Sequence, residues 1–140
     1  MKNERYEYLI KYLESTIEDE KNFIANISNA SAIINENLDN LNWAGFYLYD
    51  GTELVLGPFQ GKPACVRIKL NKGVCGTAAF EKKSLIVPNV HEFPGHIACD
   101  AASNSEIVIP MYKNDKLIGD LKDLFSGTVN AIIEALEAKD

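Results

Sequence analysis

The side chains best suited to bond-making chemistry in this 140-residue chain are three cysteines, Cys65, Cys75 and Cys99, with His91, His96 and Glu106 close to them in sequence. Cys75 falls near the start of a predicted helix, where backbone N–H groups and the helix dipole favour a thiolate and lower its pKa. Cys99 falls in a predicted loop three residues after His96, whose imidazolium would act in the same direction. Either is a candidate nucleophile. Cys65 and Cys99 both border loops, and a strand-edge thiol facing a loop thiol is the arrangement that an attacking and a resolving cysteine need for disulfide exchange. The competing reading is three core cysteines, since a free cysteine packs as a small apolar side chain. A zinc site has enough soft ligands, but structural zinc uses paired knuckles two to four residues apart, and no such cysteine pair is present.

Trp43, Phe46 and Tyr47 are core residues by default. Trp43 and Tyr47, however, share strand parity, so both can project from one sheet face and wall a pocket for a small apolar group. Glu106, at a strand start after the Cys99 loop, is by default solvated; its functional reading is a carboxylate that holds a ligand's ammonium group.

The elements that must position these residues are legible in outline. Leu9, Ile10, Leu13 and Ile17, then Phe23, Ile24, Ile27 and Ile34, recur at helical spacing and predict two helices, or one bent near Ser15 to Asp19. Trp43 to Tyr49 and Thr52 to Leu56 read as strands turned at Asp50-Gly51, with Gly57-Pro58 stopping the hairpin and a loop over Phe59 to Pro63. Ala64 to Ile68 reads as a strand begun by Cys65, Val74 to Lys83 as a short helix, and Leu85 to Val87 as a strand ended by Pro88. The stretch from Asn89 to Ser105 reads as a loop of functional length with one helical turn near His96 to Ala101. A second hairpin, Glu106 to Lys113 and Lys116 to Leu121, precedes a closing helix carrying Phe125, Val129, Ile132, Ile133 and Leu136 on one face. This order predicts an α+β domain: an antiparallel sheet of about five to six strands, helices on one face and a small ligand on the other.

Composition narrows the partners. With 46% hydrophobic residues the chain can bury one core, and one domain over 1–140 is expected. The net charge of −6 is spread along the sequence with no basic cluster, which argues against nucleic acid and anionic membranes. No apolar run is long enough to span a bilayer and no export signal follows the charged Lys2-Asn3-Glu4-Arg5. An odd cysteine count fits a reducing, cytoplasmic setting.

Beyond these readings, the chain resembles the free methionine-R-sulfoxide reductases, which are single GAF domains. The resemblance is carried by Asn42-Trp43-Ala44-Gly45-Phe46-Tyr47, by Leu54 through Ile68 (LVLGPFQGKPACVRI), by Gly73-Val74-Cys75-Gly76-Thr77-Ala78, and by Val90-His91 with Phe93 through Val108 (FPGHIACDAASNSEIV). It implies thiol-dependent reduction of free L-methionine-(R)-sulfoxide without a cofactor, thioredoxin as the reductant, and a tendency to homodimerise. On the same resemblance Cys99 matches the nucleophile, Cys65 the resolving cysteine and Cys75 the third cysteine that joins later exchange. Trp43 and Tyr47 match the wall around the substrate methyl, and Glu106 a polar substrate contact.

The pattern departs after Leu117-Ile118-Gly119. The family continues with valine, leucine, aspartate, isoleucine, aspartate and serine, whereas this chain reads Asp120-Leu121-Lys122-Asp123-Leu124-Phe125-Ser126. Without a gap, Lys122 and Leu124 stand at the aspartate positions, and the strand and loop after Gly119 are shortened. Loss of those carboxylates is expected to cost binding, rate or both. The alternative function is therefore a GAF small-molecule-binding module, or an impaired relative without turnover.

Overall fold

A computed structural model describes residues 2–95 and 105–111. Two helices open the chain, α1 (Lys2–Ile17) and α2 (Phe23–Asn37). They are separate, not one bent rod, because Asn22 caps the second: its side chain accepts from the Ala25 N–H at 2.9 Å, satisfying one of the donors a helix start leaves unpaired. Leu9, Leu13 and Ile17, one turn apart on α1, bury themselves against Ile27, Ala30 and Ile33 of α2.

Strands β1 (Trp43–Tyr49) and β2 (Glu53–Gly61) form the predicted antiparallel hairpin. The corner sits one residue later than the sequence suggested. Asp50 N–H donates to Glu53 O at 3.0 Å, so Gly51 and Thr52 are the central residues, and Gly51 takes a positive φ of 101°, in the region that favours glycine. The Asp50 carboxylate accepts from the Glu53 and Thr52 N–H groups at 2.9 and 2.8 Å, and these bonds hold its pKa below the usual carboxylate range.

The expectation that Gly57-Pro58 ends the hairpin is overturned: β2 runs on to Gly61, taking in Phe59 and Gln60. Gly45 pairs with Phe59 and Tyr47 with Leu56, so Gly57 and Pro58 together oppose Phe46 in a bulge. A bulge removes one ladder hydrogen bond, which is what a proline without an N–H requires. The Pro58 carbonyl is in turn bonded by the buried Ser31 hydroxyl of α2 at 3.2 Å.

Strand β3 (Arg67–Lys69) pairs with β2, giving the order β1-β2-β3. It is shorter than predicted, and Cys65 lies in an irregular segment two residues before it rather than at its start. Helix α3 (Gly73–Glu81) follows, stopped by Lys82 in the left-handed conformation. Strands β4 (Leu85–Val87) and β5 (Glu106–Val108) pair antiparallel, and a 3₁₀ turn covers Val90–Glu92. Strand β5 ends well before the predicted Lys113, just ahead of Pro110, which cannot donate to a ladder. Val74, Val87 and Val90 form a second buried cluster with Leu85, Phe93 and Val108. The predicted turn near His96 to Ala101, the strand from Lys116 and the closing helix lie outside the described residues.

Phe46 and Leu48 of β1 pack on the α1–α2 cluster. Strand alternation therefore sends Trp43, Gly45 and Tyr47 to the opposite face, as the sequence predicted.

Candidate active site

On that opposite face three aromatic rings stand together. Trp43 stacks on Tyr47 with centroids 6.0 Å apart and 25° between planes, and on Phe59 at 5.3 Å and 17°. Phe59 was missed in the sequence because it was assigned to a loop after Gly57-Pro58. A signal existed: Gly45 on the facing strand leaves a gap that a cross-strand aromatic covers, and a Cβ on Gly45 would fall 2.3 Å from the Phe59 Cβ. Trp43 Nε1 is buried and has no hydrogen-bond partner among the described residues. An orphaned donor of this kind is rare and costs about 1–3 kcal/mol, which an acceptor on a bound molecule would recover.

Tyr47 links this wall to the thiols. Its hydroxyl donates to the Cys65 carbonyl oxygen at 2.6 Å. Burial, then the electrostatic influence of Cys75 and Glu106, pushes its pKa up to about 12. That mutual influence brings β1, α3 and β5 to one place. Glu106 shares a strand face with Val108, which packs on the cluster that includes Val74 of α3, and its charge acts on Cys75 of that helix. It is half-buried and has partners of its own, not the freely solvated side chain taken as its default.

Cys65 is disulfide-bonded, whereas Cys75 is a free, partly buried thiol. Cys75 does lie in the first turn of α3, as predicted, but the expected thiolate stabilisation is reversed. Burial in the packed corner, reinforced by the Glu106 charge, pushes its pKa up to about 12. Two competing effects meet here, and desolvation outweighs the short helix's dipole because the thiolate would lose its water shell beside a like charge. At pH 8 a thiol of this kind is ionised at roughly one part in 10⁴. Its alkylation by iodoacetamide is expected to be about 100- to 1000-fold slower in the native chain than in urea. Mass spectrometry of Cys75 after timed quenching checks this, and equal rates would contradict the raised pKa.

Cys99 and His96 lie outside the described residues, as do Lys122, Asp123 and Leu124; for His91 only the backbone is described. Among the described residues no group of three or more His, Cys, Asp or Glu side chains could hold a metal ion, and no helix is long and apolar enough to cross a membrane.

No family model matches the chain. Over 118 residues it is 50% identical to the free methionine-R-sulfoxide reductase of Escherichia coli, an alignment covering 84% of this chain and 72% of that protein. The chain belongs to the free methionine-R-sulfoxide reductase family. Its fold agrees: the fRMsr of Staphylococcus aureus, solved in complex with substrate, superposes with a TM-score of 0.78 at 49% identity, covering 96% of this chain and 94% of that one. GAF domain-containing protein A of Dictyostelium discoideum is 50% identical over 134 residues, 95% of this chain and 84% of that protein. The free methionine-R-sulfoxide reductase family membership thus comes with the GAF fold, and the aromatic wall, Cys65, Cys75 and Glu106 cluster on the sheet face opposite α1 and α2.

Proposed function

We propose that the chain reduces free L-methionine-(R)-sulfoxide to methionine, with Cys99 as nucleophile, Cys65 as resolving cysteine and Cys75 as a third thiol for later exchange. The observation that carries this reading is the state of the cysteines in a member of this family: Cys65 is disulfide-bonded beside the aromatic wall while Cys75 keeps its proton. The Cys99 sulfur attacks the sulfoxide sulfur and takes over its oxygen, releasing methionine and leaving a sulfenic acid. The Cys65 thiol then condenses with that sulfenic acid, forming an S–S bond and expelling water. A dithiol reductant, thioredoxin on the family's pattern, returns both thiols. Trp43 and Tyr47 enclose the substrate methyl, the unpartnered Trp43 Nε1 offers a hydrogen bond to the ligand, and Glu106 receives its polar end. The setting is the cytoplasm, the unit one GAF domain that assembles as a homodimer, and neither nucleic acid, membrane nor cofactor takes part.

The specific observation favouring a second reading is Lys122 and Leu124 at the family's aspartate positions, which suits a pocket that binds without turning over. NADPH consumption coupled through thioredoxin and thioredoxin reductase separates the two. Turnover of the R but not the S epimer, abolished by Cys99→Ser, is the expected result. Folded, reduced protein that binds either epimer without consuming NADPH would replace the enzyme by a binding module.

A further inference from the structure

We propose that Tyr47 is a positioning residue for the resolving cysteine: its hydroxyl clamps the Cys65 backbone so that the Cys65 sulfur stays within reach of its disulfide partner after reduction. The inference rests on the redox reading above and adds a role for a side chain otherwise seen only as pocket wall. A phenylalanine would supply the same wall. The hydroxyl is the part with a different partner, and its 2.6 Å bond to the Cys65 carbonyl is short for an O–H donor.

The local chain explains why such a clamp matters. Residues 63–65 belong to neither strand, following Gly61 at φ 133° and exposed Lys62 and Pro63. The next fixed point is Val66, whose carbonyl accepts from the Leu56 N–H at 2.8 Å, and its side chain is 61% exposed. Cys65 thus sits just ahead of β3, beside the Val66 carbonyl that β2 holds, and the Tyr47 phenol reaches its carbonyl from the β1–β2 hairpin. An intramolecular thiol reacts at a rate set by how often it occupies the productive geometry, so a hydrogen bond that restricts the reduced segment raises its effective concentration. Tyr47 keeps its proton through the physiological pH range, so the donor is always present.

The test equilibrates the full chain with glutathione, without methionine sulfoxide. Two protein thiols and one glutathione disulfide exchange to one protein disulfide and two glutathione thiols, two electrons passing from protein to glutathione. Differential alkylation and peptide mass spectrometry read the oxidised fraction of Cys65. Tyr47→Phe is expected to lower the effective concentration about three- to tenfold, the range that loss of one such bond gives, which is about 15–30 mV toward easier reduction. Tyr49→Phe, which removes an exposed hydroxyl bonded to Gly51 O, is the control and should not shift the midpoint. A Tyr47→Phe midpoint within twofold of the unaltered chain, or an equal shift in the control, would overturn the proposal. A second measurement needs no variant: in the reduced native chain the Tyr47 hydroxyl proton should exchange slowly and show a nuclear Overhauser contact to Cys65, and its absence would also overturn the clamp. Because no sulfoxide is present, a shifted midpoint without turnover would leave the clamp standing and remove the enzyme, while turnover with an unshifted midpoint would do the reverse.

Discussion

Cys65→Ser is expected to release about one equivalent of methionine per chain from the R sulfoxide and then stall. The first oxygen transfer needs only the nucleophile, so a single turnover survives. What is lost is the neighbouring thiol that condenses with the sulfenic acid. Intramolecular delivery is worth several powers of ten over a bimolecular thiol, so steady-state turnover should fall on the order of 10² or more. Cys75 is a poor substitute. It is free, but burial and the Glu106 charge hold it protonated, and the thiol form is the unreactive one. A rapid-quench count of methionine, with a 1,3-diketone to trap the sulfenic acid, checks both parts. Undiminished multiple turnover by Cys65→Ser would remove Cys65 from the resolving role.

Gly76→Ala should destabilise the chain by about 2 kcal/mol, and two opposed effects decide the sign. Alanine is a better helix former than glycine by about 1 kcal/mol. At this position, however, the new Cβ would lie 2.3 Å from the Lys69 carbonyl oxygen of β3, with Ile68 Cγ2 and the Asn71 nitrogen at 3.4 Å. The obstacle is backbone, not the tip of a flexible side chain, so α3 and β3 must part, and overpacking of this sort costs about 1–3 kcal/mol or more. The Asn71 N–H also donates to the Gly76 carbonyl at 2.8 Å, so the same movement loosens the turn that aims Cys75. The steric cost wins. A fall in melting temperature of about 5–10 °C is expected for a chain of this size, and an unchanged or raised value would mean that the α3–β3 contact is not tight.

Particular residues show how far sequence reasoning reached. The first three helices, the β1–β2 hairpin and the common face of Trp43 and Tyr47 were legible because periodicity and parity are local properties. The bulge at Gly57-Pro58 was not. Two residues that normally stop a strand were taken as a stop, whereas the partner strand, invisible to a local window, accommodates them. Phe59 was lost with it. The Cys75 ionisation was misjudged for a related reason: its helix position is local, but its desolvation and its neighbour Glu106, 31 positions away in the chain, come from the packing of three elements. Membership of the family was readable from the motifs, and the alignment with the Escherichia coli reductase bears it out. Cys99 was singled out by sequence but lies outside the described residues, so its role rests on the proposal above.

The protonated Cys75 thiol has a consequence for endurance. Peroxides attack thiolates, and a sulfur carried past the sulfenic stage to sulfinic acid is generally lost for good. Free methionine sulfoxide accumulates under the same oxidant pressure. A cysteine that keeps its proton at neutral pH is therefore suited to outlast the conditions that oxidise methionine, an intact reserve once sulfurs that ionise more readily are spent.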